Sequence, residues 1–301
     1  MEIGLLPGVL HEAMELGRLA AKIEAAGFDS LWLGDHVSFP VPILDPLLVL
    51  ACYAAHTTRI RLGTCVYLLP LRHPTPVAKM VATLDFLSGG RVIFGVGVGG
   101  EFPREFEACG VPVNERGGRT NEAIEILRRA WSGSSEAFRG RFFDVPLAPI
   151  MPGPVQRGGP PIWIGGRSEA ALRRTARLGD GYVAYLVDPD GFRERMERIH
   201  ELAAVAGGDV KPLTGALLAF AFVDDDRASA TARASRTLGT MYGRSMERAA
   251  ERYCLLGGIE ECRDKLARYE EAGVEHIVLS PFAAGKELDV QIERMERLLE
   301  P

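Results

Sequence analysis

The chain has 301 residues, 47% of them hydrophobic and 25% charged, with a net charge of −5. That balance fits a globular fold and argues against disorder, collagen or coiled coil, and the acidic charge argues against a nucleic-acid coat. No apolar run approaches the roughly 20 residues of a membrane span, residues 1–17 lack the basic flank and long apolar core of a secretion signal, and five cysteines without CxxC spacing predict a reduced, cytoplasmic protein with no structural zinc.

In chain order, the first predicted strand is 2–6. A helix follows, with Leu16, Leu19, Ala20 and Ile23 at i, i+3, i+4 and i+7. It ends at Gly27, and the next strand is 30–34. Continuous apolar runs at 59–67, 91–96, 161–164, 181–185, 213–223 and 275–280 read as further strands, covered on both faces. Ala123, Ile124, Leu127 and Trp131 mark another amphipathic helix. The junction Ala26-Gly27-Phe28-Asp29 has counterparts in Leu178-Gly179-Asp180 and Ala272-Gly273-Val274-Glu275. Each is a helix end, a glycine, an acidic residue and then a strand. Glycine just past a helix adopts the left-handed cap cheaply, and the recurrence argues for β/α alternation and a parallel sheet.

Eight strands in 301 residues suit a closed (β/α)8 TIM barrel, read as one domain over 1–301. A doubly wound open sheet would carry GxGxxG after its first strand, where the chain reads Leu6-Pro7-Gly8. Two segments depart from the repeat. Residues 132–160, rich in Gly, Pro and Arg with Phe138, Phe142 and Phe143, read as an irregular excursion holding a short hairpin. Residues 224–253 open with Asp224-Asp225-Asp226 and read as extra helices near the barrel mouth.

Reacting groups in such a barrel sit at the C-terminal strand ends. Asp35 and His36 follow the second strand. Histidine titrates near neutrality and suits proton handling, although Asp35 as a helix cap and His36 as rim packing would leave the same sequence. Gly63-Thr64-Cys65-Val66-Tyr67 ends the third strand and suggests a bulge, and Cys65 has no evident activating partner. Gly95-Val96-Gly97-Val98-Gly99-Gly100-Glu101 follows the fourth. It is a poor dinucleotide loop, and its glycines read as room for a flat ligand against the backbone. Gly165, Gly166, Arg167 and Ser168 join the fifth strand to a helix. Free N–H groups at a helix start beside an arginine suit a phosphate, while a plain junction would use Ser168 only as a cap. His11, His56, His73, His200 and His276 form no HExxH or comparable pair, so no catalytic metal is expected. GxSxG and GxxxxGK[ST] are absent.

Taken together and in this order, these landmarks resemble the bacterial luciferase-like flavin and deazaflavin oxidoreductase superfamily. The carriers run from Ala26-Gly27-Phe28-Asp29-Ser30-Leu31-Trp32-Leu33-Gly34-Asp35-His36 through Thr58-Arg59-Ile60-Arg61-Leu62-Gly63-Thr64-Cys65-Val66, Leu84-Asp85-Phe86-Leu87-Ser88-Gly89-Gly90-Arg91, Gly95–Gly99 and Glu115-Arg116-Gly117-Gly118-Arg119 to Pro161-Ile162-Trp163-Ile164-Gly165-Gly166-Arg167-Ser168. The resemblance implies a barrel holding coenzyme F420 or FMN at its mouth, a homodimer, and a small-molecule substrate such as an alcohol, an activated alkene or an imine. Gly34-Asp35-His36 looks like the F420 branch, where FMN enzymes more often show Glu-His-His. An FMN monooxygenase served by a separate reductase is the alternative. The F420 branch further implies a cis peptide at Cys65–Val66, with Val66 against the ring. His36 would handle a proton, held by Asp35. Gly97, Val98 and Gly99 would flank the ring, Gly165, Gly166, Arg167 and Ser168 would take the phosphate, and Leu68, Leu69, Phe39 and Phe102 would line the mouth. Some F420-dependent sugar dehydrogenases carry a catalytic Glu where this chain has Gly100, which leaves the neighbouring Glu101 as candidate acid or base.

Overall fold

A computed structural model describes residues 1–8, 15–146, 149–205 and 212–300. The elements run β1 (Glu2–Leu5), α1 (Leu16–Ala25), β2 (Ser30–Leu33), α2 (Pro46–His56), β3 (Arg61–Thr64), β4 (Tyr67–Leu68), α3 (Pro74–Ser88), β5 (Val92–Gly97), α4 (Pro103–Ala108), α5 (Arg116–Trp131), β6 (Phe138–Arg139), β7 (Asp144–Val145) and β8 (Ile162–Gly165). They continue with α6 (Glu169–Leu178), β9 (Gly181–Tyr185), α7 (Pro189–Val205), β10 (Thr214–Val223), α8 (Arg227–Tyr242), α9 (Glu247–Tyr253), β11 (Leu255–Gly257), α10 (Ile259–Glu271), β12 (His276–Pro281) and α11 (Lys286–Glu296).

The parallel ladder runs β1-β2-β3-β5-β8-β9-β10-β12 and returns to β1, with Glu2 opposite His276 at the seam. A sheet that meets itself has no edge, and the eight staves are the eight strands expected from the sequence. The staves are mostly apolar because both faces are covered. Leu31, Leu62, Phe94, Ile162 and Tyr182 face the helices in the main core. Trp32, Cys65, Ile93, Trp163, Val183, Ala216 and Val278 fill the barrel interior, where Trp32 and Trp163 stack with centroids 5.3 Å apart.

Two details differ from the sequence reading. The expected strand 59–67 is two pieces. β3 pairs with β2 and the start of β5, the chain breaks step at Cys65 and Val66, and β4 resumes against the end of β5 with Tyr67 opposite Val96. The second difference is β11, which extends the sheet from the upper end of β10, Leu255 opposite Ala221. Three residues after a helical run carry too little period to be read in advance. The 132–160 segment holds the antiparallel pair β6–β7, with Phe138 opposite Val145, and α8 and α9 occupy most of 224–253. No described helix is long and apolar enough to cross a membrane.

Candidate active site

β2 delivers Asp35 and His36 to the C-terminal rim, and the structure gives them separate tasks. Both oxygens of Asp35, which is 3% exposed, bind the Arg72 guanidinium at 2.6 and 2.9 Å, and Oδ2 also accepts from Leu68 N at 2.8 Å. Arg72 lies 4.3 Å over the Tyr67 ring and reaches Asp45, the N-cap of α2, at 3.5 Å. Burial pulls the Arg72 pKa down, but the hydrogen bonds and charge of Asp35 outweigh it and raise the pKa overall. Asp35 therefore does not hold His36, contrary to the sequence expectation. It staples the end of β2 to the segment that follows the β3 break.

Glu105 holds His36 instead. His36 Nδ1 lies 3.2 Å from each carboxylate oxygen of Glu105, which is 1% exposed and also accepts from Val37 N at 3.3 Å. A carboxylate accepts, so Nδ1 carries the proton, and the neutral ring keeps Nε2 as its acceptor. The imidazole is fixed from the sides as well. Phe39 stacks on it at 4.0 Å and Phe102 meets it edge-on at 5.5 Å. Glu105 escaped the sequence reading because it sits 69 residues from His36 and looks like any acidic residue in the first turn of a helix. The available signal was its place, on α4 just past the glycine loop. Glu101 is exposed and makes no hydrogen bond to His36 among the described residues. Its carboxylate, after burial, helps raise the pKa of Tyr242 on α8.

The strand ends converge on Val66. The Cys65–Val66 peptide is cis, in agreement with the resemblance. A Cβ added to Gly97 would lie 2.4 Å from Val66 Cγ2, and one added to Gly165 would lie 2.7 Å from Cγ1. The glycines of β5 and β8 thus make room for a valine. The expected room for a flat ligand is filled here by protein, and beyond Gly97 the same holds at Gly99, beside Leu68 and Phe106, and at Gly100, beside Arg116. Leu68 and Leu69 are buried in the core rather than lining the mouth, so of the four expected mouth residues Phe39 and Phe102 are the two beside His36. Burial pushes the Cys65 thiol up to about 12, which removes it as a nucleophile.

The fourth landmark forms the opposite side of the rim. Ser168 caps α6 by accepting from Ala171 N at 3.3 Å, Gly166 sits at φ +143°, and exposed Arg167 lies 5.4 Å over the Tyr185 ring. Among the described residues no group of three His, Cys, Asp or Glu side chains is arranged to hold a metal ion, and His11 lies outside them. His56 caps its own helix through Cys52 O, and His276 is buried at the far end of the barrel. A cavity of about 680 Å³ also opens at that far end, lined in part by Glu2, Asp29, Arg61, Trp163 and Glu275, and none of the rim residues borders it.

A (β/α)8 barrel that gathers a carboxylate-held histidine, a valine ridge and a glycine–arginine junction at a helix start on its C-terminal rim has the architecture of barrel enzymes, whose sites lie at that end. The family model for luciferase-like monooxygenases matches residues 6–276, and the chain belongs to that family. Among its relatives, an F420-dependent glucose-6-phosphate dehydrogenase of Microbacterium testaceum is 30% identical over 89% of this chain and 86% of its own. An F420-dependent hydroxymycolic acid dehydrogenase of Mycobacterium tuberculosis is 33% identical over 74% of this chain and 63% of its own. The same fold recurs in an F420-dependent secondary alcohol dehydrogenase, with TM-score 0.87 and 21% identity over 99% of this chain and 98% of that one. It recurs too in the FMN-bound oxygenating component of 3,6-diketocamphane monooxygenase of Pseudomonas putida, with TM-score 0.79 and 19% identity over 99% and 97%.

Proposed function

We propose that this enzyme is an F420-dependent oxidoreductase that moves a hydride between the cofactor and a small organic substrate: an alcohol, an activated alkene or an imine. The observation that carries the reading is His36, with Nδ1 tied to Glu105 and Nε2 left as an acceptor on the rim. When bound, the deazaflavin accepts or supplies hydride at C5. His36 Nε2 takes the hydroxyl proton of an alcohol or returns it to a carbonyl, and Glu105 steadies the imidazolium formed. Val66 and Val98 support the ring, and Gly165, Gly166, Arg167 and Ser168 take the phosphate. The unpaired N–H groups at the start of α6 suit such an anion. Phe39 and Phe102 give the substrate side an apolar wall, which suits an organic carbonyl or alcohol and helps exclude water.

The choice of F420 over FMN is supported by Gly34-Asp35-His36 and by the names of the two relatives above. An FMN monooxygenase fed by a separate reductase is the second reading, favoured by the family's own description and by the FMN-bound neighbour. Fluorescence titration of the purified chain with both cofactors tests them. Quenching by F420 with little effect of FMN supports the first; tight FMN binding with oxygen-dependent turnover overturns it.

A further inference from the structure

Of the three carbonyls in the loop between β8 and α6, Ser168 O accepts from Ala171 N and Leu172 N of the helix, and the other two are held from behind. The Tyr182 hydroxyl, on β9, donates to Gly166 O at 2.8 Å. Arg195 Nη1, on α7, donates to Arg167 O at 3.0 Å. Tyr182 is fully buried, and burial pushes its phenol up to about 12, so it remains a donor at any working pH. Arg195 makes no ion pair among the described residues, and its buried Nε has no partner there.

A trans peptide sends its C=O and N–H in opposite directions. Fixing the oxygens of Gly166 and Arg167 therefore aims the N–H groups of Arg167 and Ser168 away from Tyr182 and Arg195. Neither N–H has a partner among the described residues. Left alone, this loop would be free to turn. Gly166 at φ +143° has no Cβ to restrict it, and a flipped peptide would present a carbonyl oxygen to an anion.

We propose that Tyr182 and Arg195 are positioning residues for the phosphate of the bound cofactor, holding two peptide N–H groups in the orientation that an anion requires. The inference rests on the reading of a phosphate-bearing tricyclic cofactor given above and assigns two residues outside its contact set. It distinguishes geometry from charge, because Tyr182 carries no charge and Arg195 does.

The test compares F420 with its dephosphorylated ribityl deazaflavin, which has the same tricycle and sugar-alcohol chain but no phosphate and nothing beyond it. Both are titrated by fluorescence against the wild type, Tyr182→Phe, Arg195→Met and Arg195→Lys. Loss of one such hydrogen bond should raise the Kd for F420 roughly five- to twentyfold in Tyr182→Phe and in Arg195→Met. The Kd for the ribityl deazaflavin and kcat at saturating F420 should stay at their wild-type values, and Arg195→Lys, which keeps a charged donor but not the planar fork, should recover part of the loss. Equal losses for both ligands would mark a merely structural role and overturn the proposal, as would unchanged F420 affinity in Tyr182→Phe and Arg195→Met. A wild type that binds FMN instead is put to the same contrast with riboflavin. A wild type that binds neither tricycle overturns the cofactor reading and this inference together, an outcome distinct from failure of the variants alone.

Discussion

Adjacent residues Asp35 and His36 end up in unlike surroundings, and their substitutions should behave differently. His36 is tied to Glu105 and keeps one nitrogen for chemistry. His36→Ala should lower kcat roughly 10²–10⁴-fold, and it should also lower the melting temperature, because it leaves the buried Glu105 carboxylate without its imidazole partner. Glu105→Gln, which loses the charge behind the ring, should lower kcat less. Asp35→Asn acts elsewhere, because it leaves the Arg72 guanidinium half-buried with a weakened partner. Removing one member of a buried pair costs about 3–5 kcal/mol; the partial exposure of Arg72 and the amide's remaining oxygen place this case at or below the lower end. Thermal unfolding with parallel turnover assays separates the two, and a large kcat loss in Asp35→Asn at intact cofactor binding would reverse the assignment. The sequence exposed His36, since a strand end marks it, and hid its partner. Nothing local in Pro103-Arg104-Glu105-Phe106 says which side of α4 meets the rim.

At the level of elements, the strands were legible because a doubly covered sheet writes itself as unbroken apolar runs. The break between β3 and β4 was legible only as a suspicion of a bulge, since Cys65 and Val66 are good strand residues and the reason they leave the ladder is tertiary. Val66 stands between the ends of β5 and β8, and Gly97 and Gly165 are glycine to admit it. A Cβ 2.4 Å from a β-branched methyl has no flexible neighbour to move, and overpacking of this kind costs roughly 1–3 kcal/mol. Gly97→Ala should therefore destabilise the barrel by about that much and weaken cofactor binding by displacing the ridge. Val66→Ala should relieve part of the loss when the two are combined. A double-mutant cycle by denaturant unfolding reads the coupling, and strictly additive effects would show that Gly97 serves something other than Val66.

The whole barrel closes where its first strand meets its last, and that seam is tied by a histidine the chemistry does not use. His276 Nε2 lies 2.7 Å from Ser30 Oγ, which itself accepts from Trp32 Nε1 at 2.6 Å, so the hydroxyl proton is left for the imidazole. Nδ1–H then donates to Glu2 Oε2 at 2.8 Å. One neutral ring thereby links β12, β2 and β1 beneath the Trp32–Trp163 stack. The contact with Glu2 is a neutral hydrogen bond and not an ion pair, because burial, aided by Arg61 and opposed by Asp29, pushes the His276 pKa down to about 3. In the unfolded chain it returns to about 6.5. Between those values the unfolded state binds the extra proton, so stability is whole above about pH 6.5 and falls as the pH drops toward 3, by at most roughly 1.4 kcal/mol per pH unit from this group. Carboxylates titrate over the lower part of the same range, so the readout is a difference. His276→Gln, which can keep hydrogen bonds to Ser30 and Glu2, should be less stable than the wild type at pH 7 and lose less on acidification. The two unfolding free energies should therefore converge between pH 6.5 and pH 4. Parallel curves in urea titrations across that interval would mean that His276 does not change its proton on unfolding, and that the seam draws its acid sensitivity from its carboxylates alone.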